Sequence, residues 1–375
     1  MAGSPESRQT FVDSVVTTLE TYGLDGIDLD WEYPRADDRG GRSEDYENYV
    51  LLLSAIKSKF ESYNSGWTLS IAIPASYWYL QHFDINSMQS YVDWFNIMTY
   101  DIHGKWDQEN PYTGPYVLGH TNITEIEMGL DLLRRNDIDF SKVNLGVGFY
   151  GRTFTLADRS CSKPGCVFSD AGVRGECSGE AGILTFAEIM ARQKRLNDKH
   201  IEYVEEDGVT YMVYEEDQWI TYDDDKSFKS KRELLDKECL GGVMIWAIDQ
   251  DTEDFQALSA LLGDEFVSDA LTDGGVLGED EKEGLAEELG GLTGDSCYVT
   301  MGCSGPDSGD SKFGSCDKGD VAIERLHAPG GHPSNVYKSP LLAQEASSCK
   351  KGQWKTVHYL RRRRGMCEWG EVLVL

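Results

Sequence analysis

Asp25-Gly26-Ile27-Asp28-Leu29-Asp30-Trp31-Glu32-Tyr33-Pro34 is the stretch on which the reading of the 375-residue chain turns. Along an extended strand, side chains two apart share a face, so Asp28, Asp30 and Glu32 point one way and Ile27, Leu29 and Trp31 the other. The apolar face predicts a strand buried in a sheet. Three carboxylates that close together in a low-dielectric interior cannot all ionise, so protons are shared and at least one pKa rises. Glu32, where the strand meets its loop, is expected to be a carboxylic acid held protonated near neutral pH, which is the requirement for a general acid. A solvated edge strand with acids facing water is the alternative, and the wholly apolar opposite face weighs against it.

On either side the chain alternates between helical and strand patterns. Phe11, Val15, Val16, Leu19 and Tyr22 repeat at helical spacing and stop at Gly23, and Tyr46, Tyr49, Val50, Leu53, Ile56 and Phe60 make a second amphipathic helix. Trp67 to Ile73, Trp94 to Thr99, Val143 to Phe149 and Gly241 to Ile248 read as further strands, with helices at Thr124 to Arg135 (Thr124 and Glu127 forming a capping box) and Thr252 to Leu262. With Leu24 to Trp31 these are five strands alternating with helices, which predicts an α/β protein with a parallel sheet. Residues 150–240 break the alternation. A helix at Phe186 to Leu196 and two β-like runs, Thr210 to Tyr214 and Gln218 to Tyr222, predict an inserted α+β domain there. The organisation expected is barrel strands in 1–149, the insertion in 150–240, a last strand and helix in 241–263, and an acidic linker with a Cys- and Gly-rich tail of low order in 264–375.

Composition limits the partners. Lys and Arg number 35 against 65 Asp and Glu, a net charge of -30 that repels nucleic acid and anionic lipid surfaces. Apolar runs such as Gly242 to Ile248 fall far short of the roughly 20 residues a membrane-spanning helix needs. The nine cysteines form no CxxC and the seven histidines no HExxH, so neither a metal nor another cofactor is expected. Disulfides are the better account, with Cys161, Cys166 and Cys177 in one stapled region and Cys297, Cys303, Cys316, Cys349 and Cys367 in another. The odd total leaves at least one thiol over. That usage, with the sequon Asn122-Ile123-Thr124, points to an extracellular protein, although no export signal opens the chain. The Arg361 to Arg364 run is expected to be solvated tail.

The acidic strand resembles the DGxDxDxE signature of glycoside hydrolase family 18, the chitinases, matched in full by Asp25, Gly26, Asp28, Asp30 and Glu32. Met98-Thr99-Tyr100-Asp101 is similar to the family's MxYD strand, Tyr150-Gly151-Arg152 to its YGR segment, and Gly241 to Trp246 to its final GG-x-x-x-W strand. The likeness runs to about Gly263 and is greatest to the fungal killer-toxin-subunit type. It implies a TIM barrel acting on chitin or chitooligosaccharides by substrate-assisted retention, with Glu32 as acid and base, Asp30 orienting the sugar's acetamide, Asp28 sharing a proton behind it, and Tyr100 bonding the acetamide oxygen. It further implies substrate contacts from Asp101, Met98, Tyr33, Tyr150 and Arg152, an apolar floor from Trp246, a product-side platform from Trp106, and a contact from Glu188 of the insertion.

A closed barrel needs eight strands, and the acidic strand is the family's fourth. Here one helix precedes it where three βα units of roughly 30 residues should lie. The expected fold is therefore an incomplete (β/α)8 barrel lacking its first three strands, truncated at the N-terminus and open at two edges. Two other functions compete: a chitin-binding protein that does not cleave, whose relatives typically lose the acid that Glu32 retains, and an endoglycosidase acting on N-glycans, which usually lacks the YGR insertion.

Overall fold

The computed structural model describes residues 1–196 and 200–263, and the backbone of 355–363 and 366–374. Helix α1 (Pro5–Tyr22) opens on a reciprocal cap, in which the Ser7 N–H donates to Ser4 Oγ and the Ser4 N–H to Ser7 Oγ, and it ends at Gly23 with φ 65°. It buries Val12, Val15, Val16 and Leu19 in the same cluster as Ile27 and Leu29 of β1 (Gly26–Leu29). Each such side chain contributes about 1.5–3 kcal/mol by leaving water. Helix α2 (Asp45–Tyr63) adds Tyr49, Leu52, Leu53, Ile56 and Phe60, and β2 (Thr68–Pro74) runs beside β1 with Ile27 level with Leu69. That approach is close: a Cβ on Gly26 would lie 2.2 Å from Thr68 Oγ1, so no larger residue fits there.

Two single-turn helices, α3 (Tyr77–Leu80) and α4 (Ile85–Met88), lead to β3 (Trp94–Met98). Helix α5 (Ile123–Arg135) and β4 (Val143–Gly148) follow. The cap of α5 is not the Thr124 and Glu127 pair. Asn122 Oδ1 accepts the N–H groups of Thr124 and Glu125, so the sequon's asparagine is the capping residue.

With only Phe149 between, the chain leaves β4 for a second, antiparallel sheet. It comprises β5 (Tyr150–Leu156), β6 (Phe168–Ala171), β7 (Ile183–Thr185), then α6 (Phe186–Gln193), β8 (Ile201–Val204), β9 (Val209–Tyr214) and β10 (Gln218–Tyr222). Its order is β6-β5-β10-β9-β8, with β7 on β5. Cys161 and Cys166 are disulfide-bonded within it, Cys177 is likewise bonded, and Cys239 is a free, exposed thiol.

Helix α7 (Asp225–Glu238) returns to the first sheet, where its Phe228 packs with Val147, Phe149, Val243 and Ile245. Strand β11 (Gly242–Trp246) joins β4 in parallel, and α8 (Gln256–Leu262) covers it through Ala257, Leu258 and Leu261. The five expected parallel strands thus form one curled sheet in the order β11-β4-β3-β2-β1, the incomplete barrel anticipated.

Its two edges are not open. Strands β12 (Lys355–Arg363) and β13 (Met366–Val374) form a hairpin, β12 antiparallel to β11 and β13 parallel to β1, completing the ring β1-β13-β12-β11-β4-β3-β2. This hairpin lies in the tail expected to be of low order, and β12 includes Arg361–Arg363 of the Arg361 to Arg364 run expected to be solvated, Arg364 lying outside the described residues. Val357, Tyr359, Trp369 and Val372 are strand-favouring residues that the surrounding Gly- and Cys-rich composition hides. The cysteines at 297, 303, 316 and 349 lie outside the described residues. No described helix is long and apolar enough to cross a membrane.

Candidate active site

The parallel strands all end at one mouth, and the acidic row runs up to it. Asp28, on β1, is buried, Asp30 lies half-buried just past the strand end, and Glu32 is exposed beyond it. Burial lifts Asp28 to a pKa of about 6, against hydrogen bonds from Ser70 and Asn96 that oppose the rise. The rise at Asp28 comes from its burial rather than from the neighbouring carboxylates.

Asp28 heads a ladder of polar side chains, one from each of the three successive strands β2, β3 and β4. Ser70 Oγ of β2 donates to Asp28 Oδ1 at 2.5 Å, the Asn96 amide of β3 donates to the same oxygen at 2.8 Å, and the Asn144 amide of β4 donates to Asn96 Oδ1 at 3.0 Å. All four residues are buried. None of Ser70, Asn96 and Asn144 was singled out from sequence. The available signal was a lone polar residue in the middle of each apolar strand, as in Leu69-Ser70-Ile71, Phe95-Asn96-Ile97 and Val143-Asn144-Leu145.

Past β3, Tyr100 sits under the charges of Asp30, Asp101, Glu32 and Asp28, and burial first, then those carboxylates, push its phenol well above the usual range. Its hydroxyl meets Met244 Sδ at 3.6 Å, and Met98, Tyr100 and Trp246 pack around Met244. These residues come from β3 and β11, so the structure brings both sequence motifs to one floor. Tyr33 stacks on Tyr79 at 4.1 Å with Arg39 lying over both rings. The Glu32–Tyr33 and Trp246–Ala247 peptides are cis.

Asp101, at φ 58°, binds the second sheet. Its Oδ1 accepts from Tyr150 Oη at 2.6 Å and Arg152 Nε at 2.7 Å, and its Oδ2 from Arg152 Nη2 at 2.6 Å. Burial would raise the Asp101 pKa, but the Arg152 hydrogen bonds and charge outweigh it and hold the carboxyl below its ordinary value. Arg152 in turn lies 4.8 Å over the Trp106 ring, which is 44% exposed. Beside them His120 is fully buried, and that burial drives its pKa down to about 3.

Glu188 is the exception among the expected residues. Its carboxylate accepts the N–H groups of Cys177, Ser178 and Thr185, closing the reciprocal cap of α6. A Glu three residues after a Thr is a capping signature, and that is the role its geometry gives it. Among the described residues no group of His, Cys, Asp and Glu is arranged to hold a metal ion.

The profile described as Glycosyl hydrolases family 18 matches residues 1–251. "Probable chitinase LysM11" of Penicillium expansum is 34% identical over 269 residues, covering 65% of this chain and 24% of that protein. "Killer toxin subunits alpha/beta" of Kluyveromyces lactis is 33% identical over 249 residues, covering 64% of this chain and 21% of that protein. The chain thus spans about a quarter or less of these curated relatives. The crystal structure of Ostrinia furnacalis Group IV chitinase in complex with allosamidin aligns with a TM-score of 0.62 at 27% identity, over 73% of this chain and 75% of that one.

Proposed function

The chain belongs to glycosyl hydrolase family 18, and from that premise we propose that it hydrolyses the β-1,4 bonds between N-acetylglucosamine units of chitin or chitooligosaccharides. The observation that carries this reading is the convergence of Asp28, Asp30, Glu32 and Tyr100 at the mouth, above the Met98, Met244 and Trp246 floor. Glu32 is exposed, where a polymer's glycosidic oxygen can reach it, and protonates that oxygen. The sugar's own acetamide carbonyl attacks the anomeric carbon, giving an oxazolinium ion, and Glu32 then takes a proton from the incoming water. Asp30 orients the acetamide N–H and offsets the positive charge that develops, while Asp28, with its pKa near 6, shares a proton with it. The neutral Tyr100 hydroxyl donates to the acetamide oxygen.

Trp246 offers a ring face to pyranose C–H groups, and Tyr33, Trp106 and the Tyr150, Arg152 and Asp101 cluster line the rest of the mouth. Residues 1–149 and 241–263 form the catalytic part in this reading, with 150–240 as its inserted wall. The disulfides at Cys161, Cys166 and Cys177 support action outside the cell.

The test is release of chromophore from a chromogenic chitooligosaccharide by the whole chain. Glu32→Gln is expected to abolish turnover while oligosaccharide still binds. Binding by wild type with no Glu32-dependent turnover would establish the lectin-like alternative instead.

A further inference from the structure

Between β3 and α5 the chain makes a 3-10 turn, Lys105–Glu109, which presents Trp106 to Arg152. Short turns of this kind have poor internal hydrogen bonding and depend on what lies beneath them. Beneath this one is His103, buried at 4% exposure, with a carboxylate on each ring nitrogen. Nδ1 lies 2.7 Å from Asp107 Oδ2, and Nε2 lies 2.9 Å from Glu125 Oε2. Ionised carboxylates only accept, so both nitrogens must donate and the ring is an imidazolium. Asp107 belongs to the turn that carries Trp106, and Glu125 to the first turn of α5. One ring therefore ties the turn to the helix. A third carboxyl, Asp207 in the β8–β9 connection, also faces the His103 charge.

We propose that the His103 imidazolium is the positioning residue that holds Trp106 over Arg152, and that loss of its proton releases the turn and weakens sugar binding at the mouth. The second half rests on the reading of the mouth as a chitooligosaccharide site. A neutral ring donates from one nitrogen only, so deprotonation strands either Asp107 or Glu125 without its partner. Burial opposes the charge, but the bonds to Asp107 and Glu125 outweigh it and hold His103 at about 9. Its folded pKa lies above the ordinary 6.5, so the clamp's stabilisation is complete below about 6.5, declines between there and 9, and is lost above about 9.

Two readouts on the full chain test this. One is amide hydrogen exchange of residues 102–110, corrected for the intrinsic pH dependence of exchange. The other is chitotetraose affinity in the Glu32→Gln background, where turnover does not interfere. Between pH 7 and pH 10, protection is expected to fall and Kd to rise, each by about tenfold. His103→Gln is expected to show both losses already at pH 7 and to stay flat to pH 10. Glu125→Gln keeps an acceptor but removes its charge, so its transition moves down by about one pH unit or more, which a purely structural contact would not do. Equal protection in His103→Gln and wild type, or an unmoved Glu125→Gln midpoint, overturns the clamp. PH-independent binding of chitotetraose overturns its link to the sugar and leaves the proposed function standing. Loss of protection that follows His103, with no binding at any pH, supports the clamp and sinks the chitooligosaccharide reading.

Discussion

Removing the Ser70 hydroxyl probes how the buried carboxyl of the site is set. Ser70 Oγ is one of two donors to Asp28 Oδ1, and both residues are almost wholly buried. A hydrogen bond contributes about 1.5–3 kcal/mol to a charged acceptor and about 0.5–1.5 kcal/mol to a neutral one. Ser70→Ala therefore penalises the ionised form by about 1–1.5 kcal/mol more than the neutral form, which raises the Asp28 pKa by about one unit. Asp28 already lies above its ordinary 3.8, at about 6, so the folded state binds this proton more tightly than the unfolded chain does. Its charge burden is absent below 3.8 and fully felt above 6, and stability falls across that window as pH rises. In Ser70→Ala the window extends upward by about one unit, so destabilisation grows from about 1 kcal/mol at pH 4 to about 2–2.5 kcal/mol at pH 8. Urea unfolding followed by circular dichroism at the two pH values measures this directly. The acid limb of kcat/KM on a chromogenic chitooligosaccharide should rise by about one unit as well. Equal destabilisation at both pH values, with an unmoved acid limb, would refute the reasoning.

Lys231 and Asp223 form a buried pair at 2.6 Å, and Lys231→Met, which removes the cation beside a buried carboxyl, is expected to cost about 3–5 kcal/mol in urea unfolding; adding Asp223→Asn should recover part of that. Glu188→Ala frees three backbone donors, Thr185 at the start of α6 and Cys177 and Ser178 in the β6–β7 connection, and is expected to lower stability by about 1–3 kcal/mol. Its effect should appear in Tm rather than in KM, and a raised KM at unchanged Tm would restore the sequence expectation of a substrate contact.

The parallel strands were legible because each is a short apolar run bounded by Gly, Pro or polar residues. Periodicity alone also located α1, α2 and α5. Helix α7 was missed for a physical reason: Asp225 to Glu238 reads as charged surface, yet it buries Lys231 and Ser227 as well as Phe228 and Leu234. A lysine that finds an internal carboxylate leaves no apolar trace in the sequence. Strand β5 was hidden by its burial on both faces, which erases alternation, and β8 by its partial exposure. In the site, the row of acids was readable from its spacing within one segment, and the other three motifs from their resemblance to the family. The Ser70, Asn96 and Asn144 ladder was not, since it depends on strand register, which places Asp28 level with Ser70 and Asn96 level with Asn144. The doubly bonded His103 was likewise invisible, because its partners lie 4 and 22 residues away on different elements.

Helix α7 also has a mechanical meaning. Lys231 bonds the Gly208 carbonyl and Asp223, Arg232 bonds the Leu261 carbonyl of α8, and Lys237 and Glu238 pair with Glu127 and Arg134 of α5. Phe228 meanwhile sits among the strands of the barrel wall. The helix acts as a cross-bolt, fixed at once to the inserted sheet, to its neighbours and to the wall. A bolted joint does not hinge, so the inserted sheet keeps a set position against the barrel wall. Any give at the mouth then belongs, on the clamp proposed above, to the connection between β3 and α5, which His103 anchors to α5.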